Sequence, residues 1–221
     1  MLNIIIIGLA IVLLAGLLYF EKANQFKGKV LTKTVVSCLF ILAALIQQNS
    51  IPGYHVLILI GLIFCLGGDV CLSLPQERMF LLGLVSFLVG HVFYVFGFFY
   101  AADLSSWTWT GIVVSLITSC VVFVWLRPYL ESMLIPVVCY ICVITFMVVG
   151  AWTVVGDSLL DVRGRFLVFI GAQSFYFSDV FVARDRFLKM EFINRLFGLP
   201  MYYLGQFLLA FSIGCLKPAA M

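Results

Sequence analysis

Two aspartates stand where a charge is costly. Asp69 and Asp179 each interrupt a long apolar run. A carboxylate in hydrocarbon costs at least about 2.5–3.5 kcal/mol on insertion scales, so such residues are functional candidates by default. Two carboxyls sharing one dry site tend to hold a single proton between them. That gives one neutral acid and one carboxylate, the equipment of general acid/base catalysis. Other polar side chains fall near the same layer. Tyr176 precedes Asp179 by one helical turn, and Ser178 adjoins it. Tyr202 and Tyr203 lie four and three residues before Gln206, so they share its face of a helix. His91 lies deeper, and Lys33 marks the entry of another apolar run.

These residues need elements to carry them, and composition decides which kind. The 221 residues are 64% apolar and only 10% charged. A soluble domain is about 45–50% apolar and about 25% charged. A water-soluble enzyme, a disordered chain and a nucleic-acid-binding module are thereby excluded. The class that remains is an all-α, polytopic membrane protein, because a helix satisfies its own backbone in lipid and the alternation of a β-barrel is absent. Charges and turn residues cut the chain into spans at 3–20, 31–47, 55–74, 79–101, 107–126, 132–155, 165–184 and 199–217. They fill the chain as one transmembrane domain, residues 1–221. The first run has no positive leader and no small-residue cleavage site, so it is expected to stay as a span.

Basic residues set the orientation. Lys22, Lys27, Lys29, Lys33, Arg78, Arg127, Arg184, Arg186, Lys189 and Arg195 fall on one side, against Arg163, Arg165 and Lys217 on the other. The positive-inside rule makes the first side cytoplasmic and both termini non-cytoplasmic. Bare loops suggest a bacterial inner membrane. Trp107 and Trp109 fit an anchor at the outer interface. With these spans, Asp69 and Asp179 both lie five residues from the cytoplasmic end, about 7–8 Å deep at 1.5 Å per residue. Equal depth lets them meet in one cavity.

Gly61 precedes Asp69 by eight residues, and Gly171 precedes Asp179 by eight. Gly90-His91 is echoed by Gly205-Gln206. Helices 3–4 and 7–8 run the same way, so a parallel four-plus-four repeat is expected, with a site between the halves. Gly83, Gly90 and Gly97 recur every seven residues, a stripe that lets a neighbouring helix approach closely. The seven cysteines all fall within spans and are expected to be buried and inert, including the C-x-x-C of Cys139 and Cys142.

Known motifs are mostly missing. Asp69, His91 and Asp179 could make a minimal metal trio, but there is no H-E-x-x-H, and no metal is expected. There is no G-x-S-x-G. An intramembrane aspartyl protease uses two helix-borne aspartates, yet its usual G-x-G-D is absent, since Leu66 stands two before Gly68. A small proton-coupled transporter would also use membrane carboxylates and a repeat.

The chain resembles the YhhN-like lysoplasmalogenase family. One part of the likeness is Gly68-Asp69 followed by Phe80, Gly83, Phe87, Gly90-His91 and Tyr94. The other is Ser178-Asp179, Ala183 and Phe187, then Tyr202-Tyr203 and Gly205-Gln206. Thr32-Lys33 at the entry of helix 2 is similar too, with Thr34 where the family usually has proline. The resemblance implies a membrane hydrolase acting on lysoplasmalogens, single-chain lipids with a vinyl-ether link. The products would be a fatty aldehyde and glycerophosphoethanolamine or glycerophosphocholine, with no cofactor and no nucleic-acid partner. In that chemistry Asp69 and Asp179 would be the acid/base pair. His91, Ser178, Tyr176, Tyr202, Tyr203 and Gln206 would orient water or substrate. Lys33 would attract the lipid phosphate at the interface.

Overall fold

Among the described residues, eight helices are long and apolar enough to cross a membrane, and each follows from one apolar run. The computed structural model describes residues 1–48 and 50–219. The helices are α1 (Leu2–Lys22), α2 (Phe26–Leu45), α3 (Pro52–Leu72), α4 (Glu77–Ala101), α5 (Ser106–Leu126), α6 (Leu134–Gly156), α7 (Val162–Ala183) and α8 (Phe192–Cys215). A π-helical turn, Arg184–Leu188, extends α7 on the basic side. All ten of the basic residues assigned to one side do fall on the helix ends and turns at that face of the bundle.

Two helices begin at least five residues earlier than hydropathy places them. α2 starts at Phe26 instead of 31, and α8 at Phe192 instead of 199. Lys27 and Lys29 ride on the first turns of α2, where long basic stems cover apolar surface and keep their charge in water. Arg195 rides on α8 because Glu21 and Asp185 pair with it, at 3.3 and 3.1 Å. Pro200 sits inside α8 without ending it. Packed neighbours in a membrane bundle tolerate the lost backbone bond. α3 ends at Leu72 instead of 74, which leaves Asp69 three residues from its end.

In lipid the hydrophobic effect does not hold helices together, so close packing and buried polar contacts must. The glycine stripe on α4 serves that packing. A methyl group at Gly90 would lie 2.9 Å from the Gly61 carbonyl, and one at Gly83 would lie 3.3 Å from the Gly68 carbonyl. α7 and α8 repeat the arrangement: a methyl at Gly205 would meet the Gly171 carbonyl at 2.8 Å, and one at Gly198 the Ser178 carbonyl at 3.6 Å. The echo read from the sequence is therefore a shared helix-pair geometry.

The wider packing repeats as well. α2 contacts α1, α3 and α8, and α6 contacts α5, α7 and α4. Exchanging the first four helices with the last four carries one set into the other. Two crossings depart from this: α1 approaches α8 more closely than α5 approaches α4, and α3 approaches α8 more closely than α7 approaches α4. The Phe175 ring lies 4.5 Å from His91 and 6.1 Å from Phe87, filling the space between α7 and α4. The equivalent position on α3 is the much smaller Cys65.

Cys65 is buried, but Cys38, Cys120, Cys139 and Cys142 face out of the bundle, contrary to the expected burial. A protonated thiol is a small apolar group, and lipid accepts it as readily as a protein core does. Trp107 and Trp109 are both exposed at the end of the bundle opposite the basic face, and Trp107 also stacks on Trp152 at 5.8 Å.

Candidate active site

Asp69 ends up fully enclosed, at 1% exposure. Its Oδ1 lies 3.3 Å from the Lys33 ammonium. Its Oδ2 accepts hydrogen bonds from Ser37, at 2.5 Å, and from Tyr202, at 2.6 Å. Lys33 and Ser37 are four residues apart on α2, so one helix face delivers both. Tyr202 comes from α8, and its neighbour Tyr203 donates to the Lys33 backbone carbonyl at 3.3 Å. Three helices thus converge on one carboxyl with a cation and two hydroxyls.

Asp179 on α7 is treated differently. It is only partly buried, and Tyr140 of α6 donates to its Oδ2 at 2.6 Å. Among the described residues it forms no ion pair. One oxygen is thus left without a protein donor.

Both carboxyls line one cavity of about 370 Å³. That volume lies at the lower end of the usual range for small-molecule sites, about 300–1,000 Å³. Lys33, Tyr140, Tyr176 and Tyr202 supply the rest of its polar lining toward the interior. Phe80, Leu84, Phe87, Val122, Leu126 and Ile144 give it apolar walls. Its rim reaches the basic face at Lys29, Arg186 and Arg195. A site of this kind can take an amphiphile, with a chain along the walls and a polar end at the rim.

A model of the YhhN family matches residues 28–213. The chain belongs to the YhhN family. No curated protein and no solved structure matches it. Every side chain that contacts Asp69 or Asp179 lies within the family match, while α1 stands outside it.

The structure brings some of the expected site residues to the cavity and leaves others behind it. Asp69, Asp179, Lys33, Tyr176 and Tyr202 line it. The Tyr176 hydroxyl bonds Ser119 at 3.1 Å, which fixes its ring against α5. His91 is buried behind the wall, with its ring 5.3 Å from that of Tyr140. Gln206 is buried too, and its Oε1 accepts from Tyr94 at 2.8 Å. Ser178 donates to the Phe175 carbonyl at 2.7 Å and belongs to the α7–α8 contact. His91, Gln206 and Ser178 therefore support the residues around the cavity and do not line it. Asp69, His91 and Asp179 do not form a metal-ligand group, and no cluster of three His, Cys, Asp or Glu exists among the described residues.

Lys33, expected to attract a lipid phosphate, has its ammonium 3.3 Å from the Asp69 carboxyl. Ser37 and Tyr140 were not foreseen. Ser37 stands one turn after Lys33, a spacing that could have flagged it. Tyr140 carries no such local signal, because a tyrosine in an apolar helix is ordinary and only the α6–α7 packing reveals its partner.

Proposed function

We propose that this YhhN family protein is a membrane hydrolase that cleaves the vinyl-ether bond of lysoplasmalogens. The observation that carries the reading is the pair of intramembrane carboxyls lining one cavity, with unequal partners. Asp69 accepts two hydroxyl hydrogen bonds and faces an ammonium, so it stands as the carboxylate. Asp179 has no cation and a free oxygen, so it carries the proton that is transferred.

The reaction begins when Asp179 protonates the alkene carbon beyond the ether-bearing one. The positive charge then spreads over the adjacent carbon and the ether oxygen. Such a cation is related to that of glycoside hydrolysis, which also proceeds between two carboxyls. Water adds to the cation and returns one proton to the carboxyl pair. The hemiacetal passes its hydroxyl proton to the glycerol oxygen as the C–O bond breaks. Aldehyde and glycerophospho-alcohol result, and the pair ends as it began. Tyr202 and Tyr140 hold the two carboxyls in place, and Tyr176 shapes the wall beside Asp179. The basic face is cytoplasmic in this reading, with both termini on the opposite side of a bacterial inner membrane. The substrate enters from the inner leaflet, where its ether link lies just beneath the head groups.

Aldehyde release by purified protein in detergent tests the proposal. An alkenyl lysolipid should be cleaved and its saturated alkyl-ether counterpart should not, because only the alkene can be protonated to the cation. Asp69→Asn and Asp179→Asn should each lower the rate by about 10²–10⁴-fold, the usual worth of a positioned acid or base. Full activity in either folded variant removes that carboxyl from the mechanism. The repeated helix packing favours a second reading, a small proton-coupled transporter. Hydrolysis in detergent, where no second compartment exists, separates the two.

A further inference from the structure

The cations that line the cavity are Lys29, Lys33, Arg186 and Arg195. Three of them are paired: Lys29 with Glu21 at 3.7 Å, Lys33 with Asp69 at 3.3 Å, and Arg195 with both Glu21 and Asp185. Among the described residues, Arg186 alone of the four has no carboxylate partner. The nearby acids are engaged elsewhere. Asp185 also accepts from the Glu191 backbone amide and from the Asn194 side chain.

Arg186 is nevertheless held in place. Its guanidinium carbon lies 4.4 Å from the centre of the Phe80 ring, which itself lines the cavity. Phe80 is fixed in turn by an edge contact with Phe187, at 6.1 Å. A guanidinium lying on an aromatic face keeps its N–H edges free in the ring-parallel plane. Those edges match two oxygens of a phosphate. Arg186 also sits on the π-helical turn, a local geometry often found at functional sites. It follows Asp179 by seven residues, two helical turns nearer the basic surface, about 10 Å along the axis. A single-chain phospholipid with its vinyl ether at Asp179 would have its phosphate toward that surface.

We propose that Arg186, propped on Phe80, is the phosphate-binding residue of the site and anchors the phosphodiester of a single-chain lipid at the cavity rim. This rests on the hydrolase reading for the identity of the lipid, but its test does not need turnover.

The full chain in detergent is titrated with a saturated 1-alkyl lysophospholipid and, separately, with the matching phosphate-free 1-alkylglycerol. The wild type should bind the phospholipid more tightly by about tenfold or more, the scale of a charge-assisted hydrogen bond. Arg186→Gln should bring that ratio close to one. Arg186→Lys should keep part of it, since an ammonium attracts phosphate without the two-point fit. Arg163→Gln removes the same charge at the outer end of α7 and should leave the ratio as it was. An unchanged ratio in Arg186→Gln overturns the proposal. So does inorganic phosphate that binds in an Arg186-dependent way without lipid and as tightly as the phospholipid, because the site would then be one for free phosphate. Failure of the hydrolase reading looks different: no aldehyde from the alkenyl lipid, whatever these ratios are.

Discussion

The two halves of the molecule share a packing plan and differ in what they do with their carboxylate. α3–α4 and α7–α8 make the same close approach, so that a methyl added at Gly90 would lie 2.9 Å from the Gly61 carbonyl and one at Gly205 would lie 2.8 Å from the Gly171 carbonyl. Each pair carries one aspartate eight residues beyond its first glycine. Yet Asp69 is locked in a cage of Lys33, Ser37 and Tyr202, while Asp179 has Tyr140 alone. The equivalent of Tyr202 in the first half is Phe87, three residues before Gly90 as Tyr202 is three before Gly205. The Tyr202 hydroxyl crosses from the second half to Asp69, and Phe87 has no hydroxyl to offer Asp179 in return. The larger ring of Phe175, where the other half has Cys65, keeps α7 off α4. The cavity lies against that looser crossing. A repeated frame thus carries a site where its symmetry fails.

The largest test of this contrast is stability. Asp69→Asn leaves the Lys33 ammonium buried without its counter-charge, which should destabilise the protein by about 3–5 kcal/mol. Asp179→Asn breaks no ion pair and should be close to neutral. Unfolding in detergent, read on both variants, should show the difference; equal losses would mean that the two carboxyls are equivalent after all. The glycine contacts should behave in the opposite way. Gly90→Ala and Gly205→Ala each force a methyl group against a backbone carbonyl and should cost about 1–3 kcal/mol alike. Gly8→Ala meets nothing within 4 Å and serves as the neutral reference.

The smallest effect belongs to the α7–α8 turn, which has no matching ion-pair cluster at the α3–α4 turn among the described residues. There the Lys189 ammonium, helped by Arg184, holds the half-buried Glu191 carboxyl below its ordinary value. A lowered value in the folded state gives a contribution that is complete above the unfolded value and fades as the pH falls through the folded one. The stability difference between wild type and Glu191→Gln should shrink across that acidic window. A difference that grows with acidification would reverse the sign of the interaction.

Much of this was legible in the sequence, for reasons specific to lipid. Apolar runs must be helices, so eight spans could be read directly; their edges slipped where charges found partners, as Arg195 did with Glu21 and Asp185. Asp69 and Asp179 stood out because a carboxylate in hydrocarbon needs a reason to be there. Hydroxyls need far less reason, which is why Ser37 and Tyr140 passed unseen. Lys33 was noticed as a cation near a membrane surface, but the sequence did not show that the Asp69 carboxyl lies 3.3 Å from it. His91 and Gln206 were marked as polar and deep, as they are, but depth could not tell the lining of a cavity from the support behind it.

At the far end of the bundle two loops are tied together. Asp161 donates its backbone amide to the Lys217 carbonyl at 2.8 Å, and Ala219 donates to that of Leu159 at 2.7 Å, so the tail is stitched to the α6–α7 connection. All the residues around the cavity come from the opposite half of the membrane's thickness. The cavity reaches the surface at the basic rim. Under the proposed hydrolase reading, a water-soluble product would leave by the same basic rim at which the head group of its precursor arrived.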